Sequence, residues 1–265
     1  RADYMGQFIR VCRQELLKTI YSWKIYVSFL LYIIFAYLAT RTIGGGSRLV
    51  NGYASISDIA SYNNFNKILV IIAAFPYATS YYEDIQYGYI NYIVKRSGKE
   101  IYVSAKIVMC ALSSFIVSFI SLSVYCTISS MVSGFGVNTR AIIETSKFYD
   151  IAAGKTPFMV VYFMCFLFSL CSSLYAVMGM MVSAILPNIF VALTGTLFMN
   201  VLMEQINAKM PRFLNIFYIQ GGNAAYGIKA PFIAICSIAV VLGYMILSGL
   251  IFSRYARRRI SYESH

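Results

Sequence analysis

The sequence predicts an all-α integral membrane protein, in which an interfacial amphipathic helix precedes six transmembrane helices and both termini are cytoplasmic. Of the 265 residues, 59% are hydrophobic and only 12% are charged, about half the charged fraction of a soluble domain. Apolar runs extend over 107–140, 156–202 and 230–253. Because these runs are continuous and a helical span needs about 20 residues, they predict membrane helices and not alternating strands.

Residues 4–23 are predicted to form a helix that lies in the cytoplasmic interface before the first span. Gln7, Arg10, Gln14 and Lys18 occupy one face of this helix, and a second face is apolar. The apolar face consists of Met5, Phe8, Ile9, Cys12, Leu16, Ile20 and Trp23. The alternative is that this segment extends the first span inward without a break.

Charge, glycine and proline separate the six predicted spans. The first span ends at Gly44-Gly45-Gly46, which terminates a helix, and Pro76 can kink the second. Pro187-Asn188 divides a long uncharged run into the fourth and fifth spans, and Pro231 suits the first turn of the sixth. The predicted spans are 25–43, 66–82, 107–135, 157–186, 189–203 and 231–252.

The distribution of basic residues predicts that both termini are cytoplasmic. Thirteen of the 22 Lys and Arg residues lie in the inner segments 1–24, 83–106 and 253–265, and nine lie in the longer outer segments. The run from Arg254 to Arg259, directly after the last span, is the strongest single indication. Because the basic residues are dispersed around the spans, they favour anionic lipid over nucleic acid as their partner.

The chain has few groups that could carry out chemistry. Its only histidine is His265, so a Ser-His or Cys-His pair lacks a base and a zinc site lacks a His ligand. Gly154-Lys155-Thr156 resembles part of a phosphate-binding loop, but Tyr149 stands where that motif needs glycine. All cysteines lie in the N-terminal helix or the spans, which predicts no disulfide framework. We therefore expect no enzyme activity, no metal and no cofactor bound by this chain.

Residues 83–106, between the second and third spans, are charged and rich in tyrosine. The segment begins with Glu83-Asp84, contains Gly88 and continues with Tyr89 to Val94. Tyrosine supplies a large, partly polar contact area that suits a protein interface, and the segment is long for a turn between adjacent helices. It therefore predicts a docking surface for a soluble partner. The alternative is a solvated turn whose tyrosines anchor the bilayer.

The same segment resembles the coupling segment in permease subunits of type-2 ABC exporters. In that family, paired acidic residues precede a hydrophobe, a polar residue and Gly-Thr-Ile or similar, followed by a basic-Ser stretch, Ile-Tyr and Lys. The matching residues are Glu83-Asp84-Ile85-Gln86-Tyr87-Gly88-Tyr89-Ile90, Arg96-Ser97, Ile101-Tyr102 and Lys106. Tyr89 replaces the usual Thr, and Gln86 replaces a common second acidic residue. The N-terminal helix, six spans and inner termini extend the resemblance over nearly the whole chain.

The resemblance implies partners and roles for these residues. Two permeases of the same or related sequence pair in the membrane, and two cytoplasmic ATPase subunits, which bind ATP and Mg, drive them. The acidic pair would bond across the base of the permease or to the ATPase, and the glycine would form a tight turn. The apolar and aromatic residues that follow would fill a groove of the ATPase, and the lysine would anchor the third span. The implied coupling interface is Glu83, Asp84, Gly88, Tyr89, Ile90, Tyr92, Arg96, Tyr102 and Lys106.

An amphipathic or lipophilic cargo is expected, because few charges lie within the spans. By analogy with small bacterial permeases that lack a fused ATPase, the best candidate is an antimicrobial or toxin-like peptide exported across the bacterial cell membrane. The alternatives are a drug or a lipid-linked cargo, a non-ABC channel or secondary carrier, and a membrane enzyme or sensor subunit. The outer segment 204–230 is long enough to dip partly into the membrane as a re-entrant segment. The candidate translocation path consists of Phe75, Tyr77, Phe190 and Phe198.

Overall fold

The computed structural model describes residues 2–43, 55–56, 59–60, 63–133, 158–186, 188–207, 209–211, 214–221 and 230–263. Every regular element within these residues is a helix, which confirms the all-α prediction for this part of the chain. Gly44-Gly45-Gly46, Gly154-Lys155-Thr156 and Pro187 lie outside the described residues. The helices are α1 (Ala2–Ile20), α2 (Trp23–Ile43), α3 (Asn63–Ala74), α4 (Ser80–Gln86), α5 (Tyr89–Ser97), α6 (Lys99–Ser133), α7 (Phe158–Ile185), α8 (Ile189–Asn207), α9 (Ile216–Gln220) and α10 (Ala230–Glu263).

Four of these helices are long and apolar enough to cross a membrane. Their apolar stretches are Trp23–Thr42 in α2, Lys99–Ser133 in α6, Phe158–Ile185 in α7 and Phe232–Ile260 in α10. They correspond to the first, third, fourth and sixth predicted spans. The four helices indicate a membrane-spanning protein.

The second and fifth predicted spans differ from these four. α3 has 12 residues, about 18 Å of helix, whereas the hydrocarbon core of a bilayer is about 30 Å thick. The chain then turns through 75–79 before α4, because Pro76 has no N–H to continue the helical ladder. α8 has 19 residues but carries Asn200, Glu204 and Asn207, which lower its apolarity. The six-span topology stays a prediction.

α1 is a separate helix, because the chain turns at Tyr21-Ser22 before α2 begins. It packs along α6, and its buried face includes Val11, Glu15 and Thr19. Only three of the seven residues of the predicted apolar face turn inward, since the helix is rolled so that Glu15 is buried. Phe8, Cys12 and Leu16 pack inward, and Met5, Ile9, Ile20 and Trp23 are exposed.

Residues 83–106, predicted as a loop, are helical for most of their length. They comprise the end of α4, all of α5 and the first turns of α6. α6 has 35 residues and is therefore about 52 Å long, which exceeds the hydrocarbon core of about 30 Å. Its first turns, including Lys106, can lie beyond the membrane while they remain part of the third span's helix. One rigid helix thus connects this segment to the bundle.

α7 is the centre of the bundle. Of its most apolar stretch, 83% is buried, against 28% for α10, and α7 contacts α3, α6, α8, α9 and α10. α8 approaches α7 closely, because a Cβ atom at Gly179 would lie 2.2 Å from the Thr196 side chain. Glycine at this position lets the two backbones come together.

The bundle has two chemically different ends. At one end, Tyr81 of α4, Ile90 of α5, Tyr102 of α6 and Phe252 of α10 share a hydrophobic cluster, against which α1 packs. We call it the basic end, because α1, α5 and the last turns of α10 carry many Lys and Arg residues. The opposite end carries α9 and the last turns of α2, α6 and α8.

Candidate functional site

Lys106 is at the centre of a buried ionic cluster at the basic end. Its side chain is fully buried, and its Nζ lies 3.0 Å from Glu15 Oε2 and 2.6 Å from Asp84 Oδ2. The same nitrogen donates a hydrogen bond of 2.6 Å to Ser80 Oγ. An ammonium group has three donors and no acceptor, so these three oxygens satisfy it.

Two tyrosines shield this cluster from water. The Tyr77 hydroxyl donates to Glu15 Oε2 at 2.8 Å, and the Tyr102 hydroxyl donates to Asp84 Oδ2 at 2.9 Å. Lys106 Nζ lies 5.2 Å from the ring centroid of Tyr77 and 5.5 Å from that of Tyr102. At these distances each ring attracts the cation while its hydroxyl satisfies a carboxylate.

Two further lysines extend the cluster. Lys18 Nζ in α1 lies 2.7 Å from Asp84 Oδ1. Lys24 in α2 pairs with Glu83 and lies 3.1 Å from the Thr79 hydroxyl, and that hydroxyl donates to Glu83 at 2.8 Å. We call the three carboxylates and three ammonium groups the base cluster: Glu15, Lys18, Lys24, Glu83, Asp84 and Lys106.

The base cluster joins four helices. It links α4, through Glu83 and Asp84, to α1, α2 and α6. Taking one partner out of a buried ion pair typically destabilises a protein by about 3–5 kcal/mol, because the other charge remains buried. Separating α4 from α6 would break the pair of Asp84 with Lys106 and leave each of these buried charges with one ionic partner in place of two. We therefore expect α4 and the start of α6 to move as one unit.

Neighbouring charges decide the ionisation of the acidic residues of α4. Burial alone would raise the pKa of the Asp84 carboxyl, but Lys106 and Lys18 outweigh burial and hold this pKa below its usual range. Burial also opposes the ionisation of Glu83, whose pKa is nevertheless lowered by hydrogen bonds from Lys24 and Thr79. Burial would lower the pKa of Lys18, yet Asp84 raises it. Asp84, Glu83 and Lys18 are therefore ionised at neutral pH.

The turn after α4 presents three tyrosines to the outside. Gly88 joins α4 to α5 with a φ angle of +70°, a conformation that most other residues adopt rarely. Tyr87, Tyr89 and Tyr92 are 67%, 56% and 77% exposed, and the rings of Tyr87 and Tyr89 lie 6.1 Å apart. We call these three residues the tyrosine face. It is a surface of large aromatic groups directly attached to the base cluster through α4.

A polar notch adjoins the tyrosine face. It lies between α1 and α5, has a volume of about 240 Å³, and is lined in part by Gln7, Arg10, Gln14, Tyr92 and Arg96. Arg10 and Arg96 make the notch positively charged. Guanidinium groups bind carboxylates in bidentate geometry, so the notch suits an acidic side chain of a partner.

The structure divides the predicted coupling residues into an exposed and a buried group. The exposed residues are Tyr89, Tyr92 and Arg96. Glu83 and Gly88 are half-buried. The buried residues are Asp84, Ile90, Tyr102 and Lys106. Ile90 packs inward at 2% exposure and so does not present a side chain to a partner. The cause is helical geometry, because neighbours on a helix such as Tyr89 and Ile90 point about 100° apart.

The four residues of the candidate translocation path lie in different surroundings. Tyr77 is buried against Glu15, and Phe75 is half-buried with its ring edge-on to Trp23 at 6.2 Å. Phe190 and Phe198 are 72% and 59% exposed on α8. A path that includes all four stays a prediction.

Sequence reasoning missed Glu15, which binds both Lys106 and Tyr77. The available signal was that Glu15 is the sole acidic residue within 4–24 and lies at the edge of an apolar helical face. Acidic residues are almost never buried without a partner, so its position indicated a cation elsewhere in the chain. The sequence alone did not identify this cation, because the pairing depends on how α1 packs against the other helices.

The ligand set of the base cluster is directed at ammonium groups and not at a metal. Within the described ranges, no group of three or more His, Cys, Asp or Glu residues is placed to hold a metal ion.

Comparison of the chain with known protein families, with curated proteins and with solved structures gave no match. The interpretation of this site therefore rests on its own geometry.

Proposed function

We propose that this chain is the membrane-spanning permease subunit of an ATP-driven exporter of the type-2 ABC class. It pairs with a second copy or a related permease, and two cytoplasmic ATPase subunits bind and hydrolyse ATP with Mg. The basic end faces the cytoplasm, six helices span the bacterial cell membrane, and the cargo is an amphipathic or lipophilic molecule, with a peptide as the first candidate. The chain itself carries out no chemistry.

The observation that supports this proposal is the continuity between the tyrosine face and the base cluster. Tyr87, Tyr89 and Tyr92 are exposed at the turn between α4 and α5, and the preceding acidic pair is bonded into α1, α2 and α6. A partner that pushes on this turn displaces α4, and the ion pairs transmit the displacement to the helices. Rigid-body movement of helix bundles is an established way to switch a transporter between inward and outward access.

Affinity purification tests the partner. We expect the tagged chain, purified in mild detergent from its own cells, to bring down a P-loop ATPase. The double variant Tyr89→Ala/Tyr92→Ala should reduce the ATPase recovered at least tenfold, because large exposed aromatics dominate interface energies. Tyr21→Ala is the matched control, since Tyr21 is 83% exposed but lies outside the α4–α5 turn. Equal recovery with both variants, or no ATPase with the wild type, would contradict the proposal.

A secondary carrier is the second candidate, and one observation favours it. The helix that begins with α3 is interrupted at 75–79, next to the buried Lys106 and its two carboxylates. Interrupted helices beside buried charges are typical of ion-coupled carriers. Vesicles that contain the chain alone distinguish the two, because a carrier accumulates its cargo under an imposed pH or sodium gradient, whereas the exporter requires the ATPase and ATP.

A further inference from the structure

A groove on the outside of the bundle runs between α6, α7 and α10. Its volume is about 580 Å³, within the range of about 300–1,000 Å³ that is typical of sites for small molecules. Its walls are largely apolar and include Ile107, Ala111 and Phe115 of α6, Leu170 of α7 and Met245 of α10. The groove therefore suits a hydrocarbon chain.

The lining of the groove changes character at the basic end. There it is completed by Ser104, Ser253 and Arg257. Arg257 pairs with Glu100 at 3.1 Å, yet its side chain is still 49% exposed. Arg254 and Arg258 are exposed on the same turns of α10. One end of the groove thus offers hydroxyl groups and positive charge, and the remainder offers hydrocarbon.

The apolar part of the groove matches the depth of one membrane leaflet. Ile107 and Phe115 are eight residues apart on α6, and so are Leu242 and Leu250 on α10; each pair spans about 12 Å of helix. Half of the hydrocarbon core is about 15 Å. With its polar end at the headgroup level, a groove of this length would stop close to the middle of the bilayer.

From these three observations we infer that the groove binds an anionic phospholipid, with one acyl chain along Ile107, Ala111 and Phe115 and the phosphate at Arg257. Charge argues against a second copy of this chain as the occupant. A two-fold symmetric contact places the same patch on both subunits, and this patch would bring Arg257 and its arginine neighbours toward their own copies. An anionic headgroup instead complements the charge of this end.

Native mass spectrometry of the detergent-purified full chain tests the site. The probes are phosphatidylglycerol and phosphatidylcholine with identical acyl chains, and glycerol phosphate as the headgroup alone. We expect the wild type to retain phosphatidylglycerol in preference to phosphatidylcholine and to retain no glycerol phosphate. Retention of glycerol phosphate at the phosphatidylglycerol level would overturn the acyl-chain part of the proposal, because the site would then be a phosphate site only.

Matched variants locate the headgroup. Arg257→Ala should lower the retention of phosphatidylglycerol about fivefold, the usual effect of one juxtamembrane basic residue. Arg258→Ala removes the same charge one residue away, outside the groove, and should have little effect. Glu100→Gln removes the ion pair but keeps Arg257, and should retain the lipid. Equal losses with Arg257→Ala and Arg258→Ala would overturn the site in favour of a general charge effect.

A second pair of variants locates the acyl chain. Ala111→Phe fills the groove and should lower the retention of both lipids, whereas Val124→Phe adds a ring at a 41% exposed position of α6 outside the groove and should not. Thermal unfolding of each variant verifies that it is folded. Lipid retention by Ala111→Phe at the wild-type level would overturn the proposal, whatever the arginine variants show.

Discussion

The two ends of the bundle are held together by different chemistry. At the basic end, six charged side chains form the base cluster, and Lys106 and Asp84 within it are almost fully buried. At the opposite end, the buried contact between α3 and α9 is neutral: Asn66 and Gln220 exchange two amide hydrogen bonds of 3.3 and 2.9 Å. The ion pair there, Lys67 with Glu204 at 2.8 Å, is partly exposed on both sides.

This difference assigns different roles to the two ends. A buried ion pair is strongly destabilised when one partner moves away, so the basic end should behave as a rigid block. A neutral amide pair contributes less, and water can replace either partner at small net change. For the exporter that we propose, this arrangement would let the base receive force as one block while the other side opens. Substitutions made at one end at a time therefore test this difference.

Lys106→Met should have the largest effect. It keeps the volume of the side chain but leaves Glu15 and Asp84 buried without their common cation, which should lower the free energy of unfolding by about 3–5 kcal/mol. Chemical denaturation in detergent measures the loss. Lys95→Met is the control, because Lys95 is exposed on α5, and it should change the stability by less than about 0.5 kcal/mol. Similar losses for the two variants would mean that the base cluster does not stabilise this end.

The amide pair at the opposite end should give an intermediate effect. Asn66→Leu leaves the Gln220 amide buried without a partner and should lower the free energy of unfolding by about 1–3 kcal/mol. The double variant Asn66→Leu/Gln220→Leu should recover most of this loss, since removing both partners can be nearly neutral. A double variant no more stable than the single one would contradict this account of the contact.

The pH dependence should distinguish the ends, because the stabilisation by the charge of Asp84 is complete at neutral pH and is lost in acid. The pKa of folded Asp84 lies below its unfolded value of about 3.9, so its stabilisation is present above that value and is lost as the pH falls through the folded pKa. The pKa of Lys18 is raised above about 10.4, so its contribution is lost only as the pH rises beyond that. The difference in melting temperature between the wild type and Asp84→Asn should therefore narrow from about pH 6 to about pH 3. A constant difference would show that the charge of Asp84 contributes nothing.

Helix positions were predictable from the sequence wherever apolar runs were long. The first, third, fourth and sixth predicted spans agree with α2, α6, α7 and α10 to within a few residues at most of their ends. Two exceptions have physical causes. α6 begins well before the third predicted span and α10 ends well after the sixth, because a helix does not have to end where the apolar run ends. Pro76 divides the second predicted span.

The composition of the candidate site was only partly predictable. The acidic pair, Gly88 and the tyrosines were recognisable along the chain, because they lie within 83–106. The pairing of Lys106 with Glu15 joins residues 91 positions apart, and it depends on how α1 is rolled against α6. The same limit applies to Ile90, whose inward direction follows from the placement of α5 and not from its neighbours in the sequence.

The most direct test of the proposed function is the coupling of ATP hydrolysis to transport in vesicles that contain the chain and the proposed ATPase subunit. Gly88→Trp should abolish transport while hydrolysis continues, because it disrupts the +70° turn and obstructs the tyrosine face. Gly88→Asn tolerates positive φ and should stay coupled, and Gly6→Trp, where an added Cβ also meets open space, should transport as the wild type does. Normal transport by Gly88→Trp would contradict the claim that work enters this protein at the turn between α4 and α5.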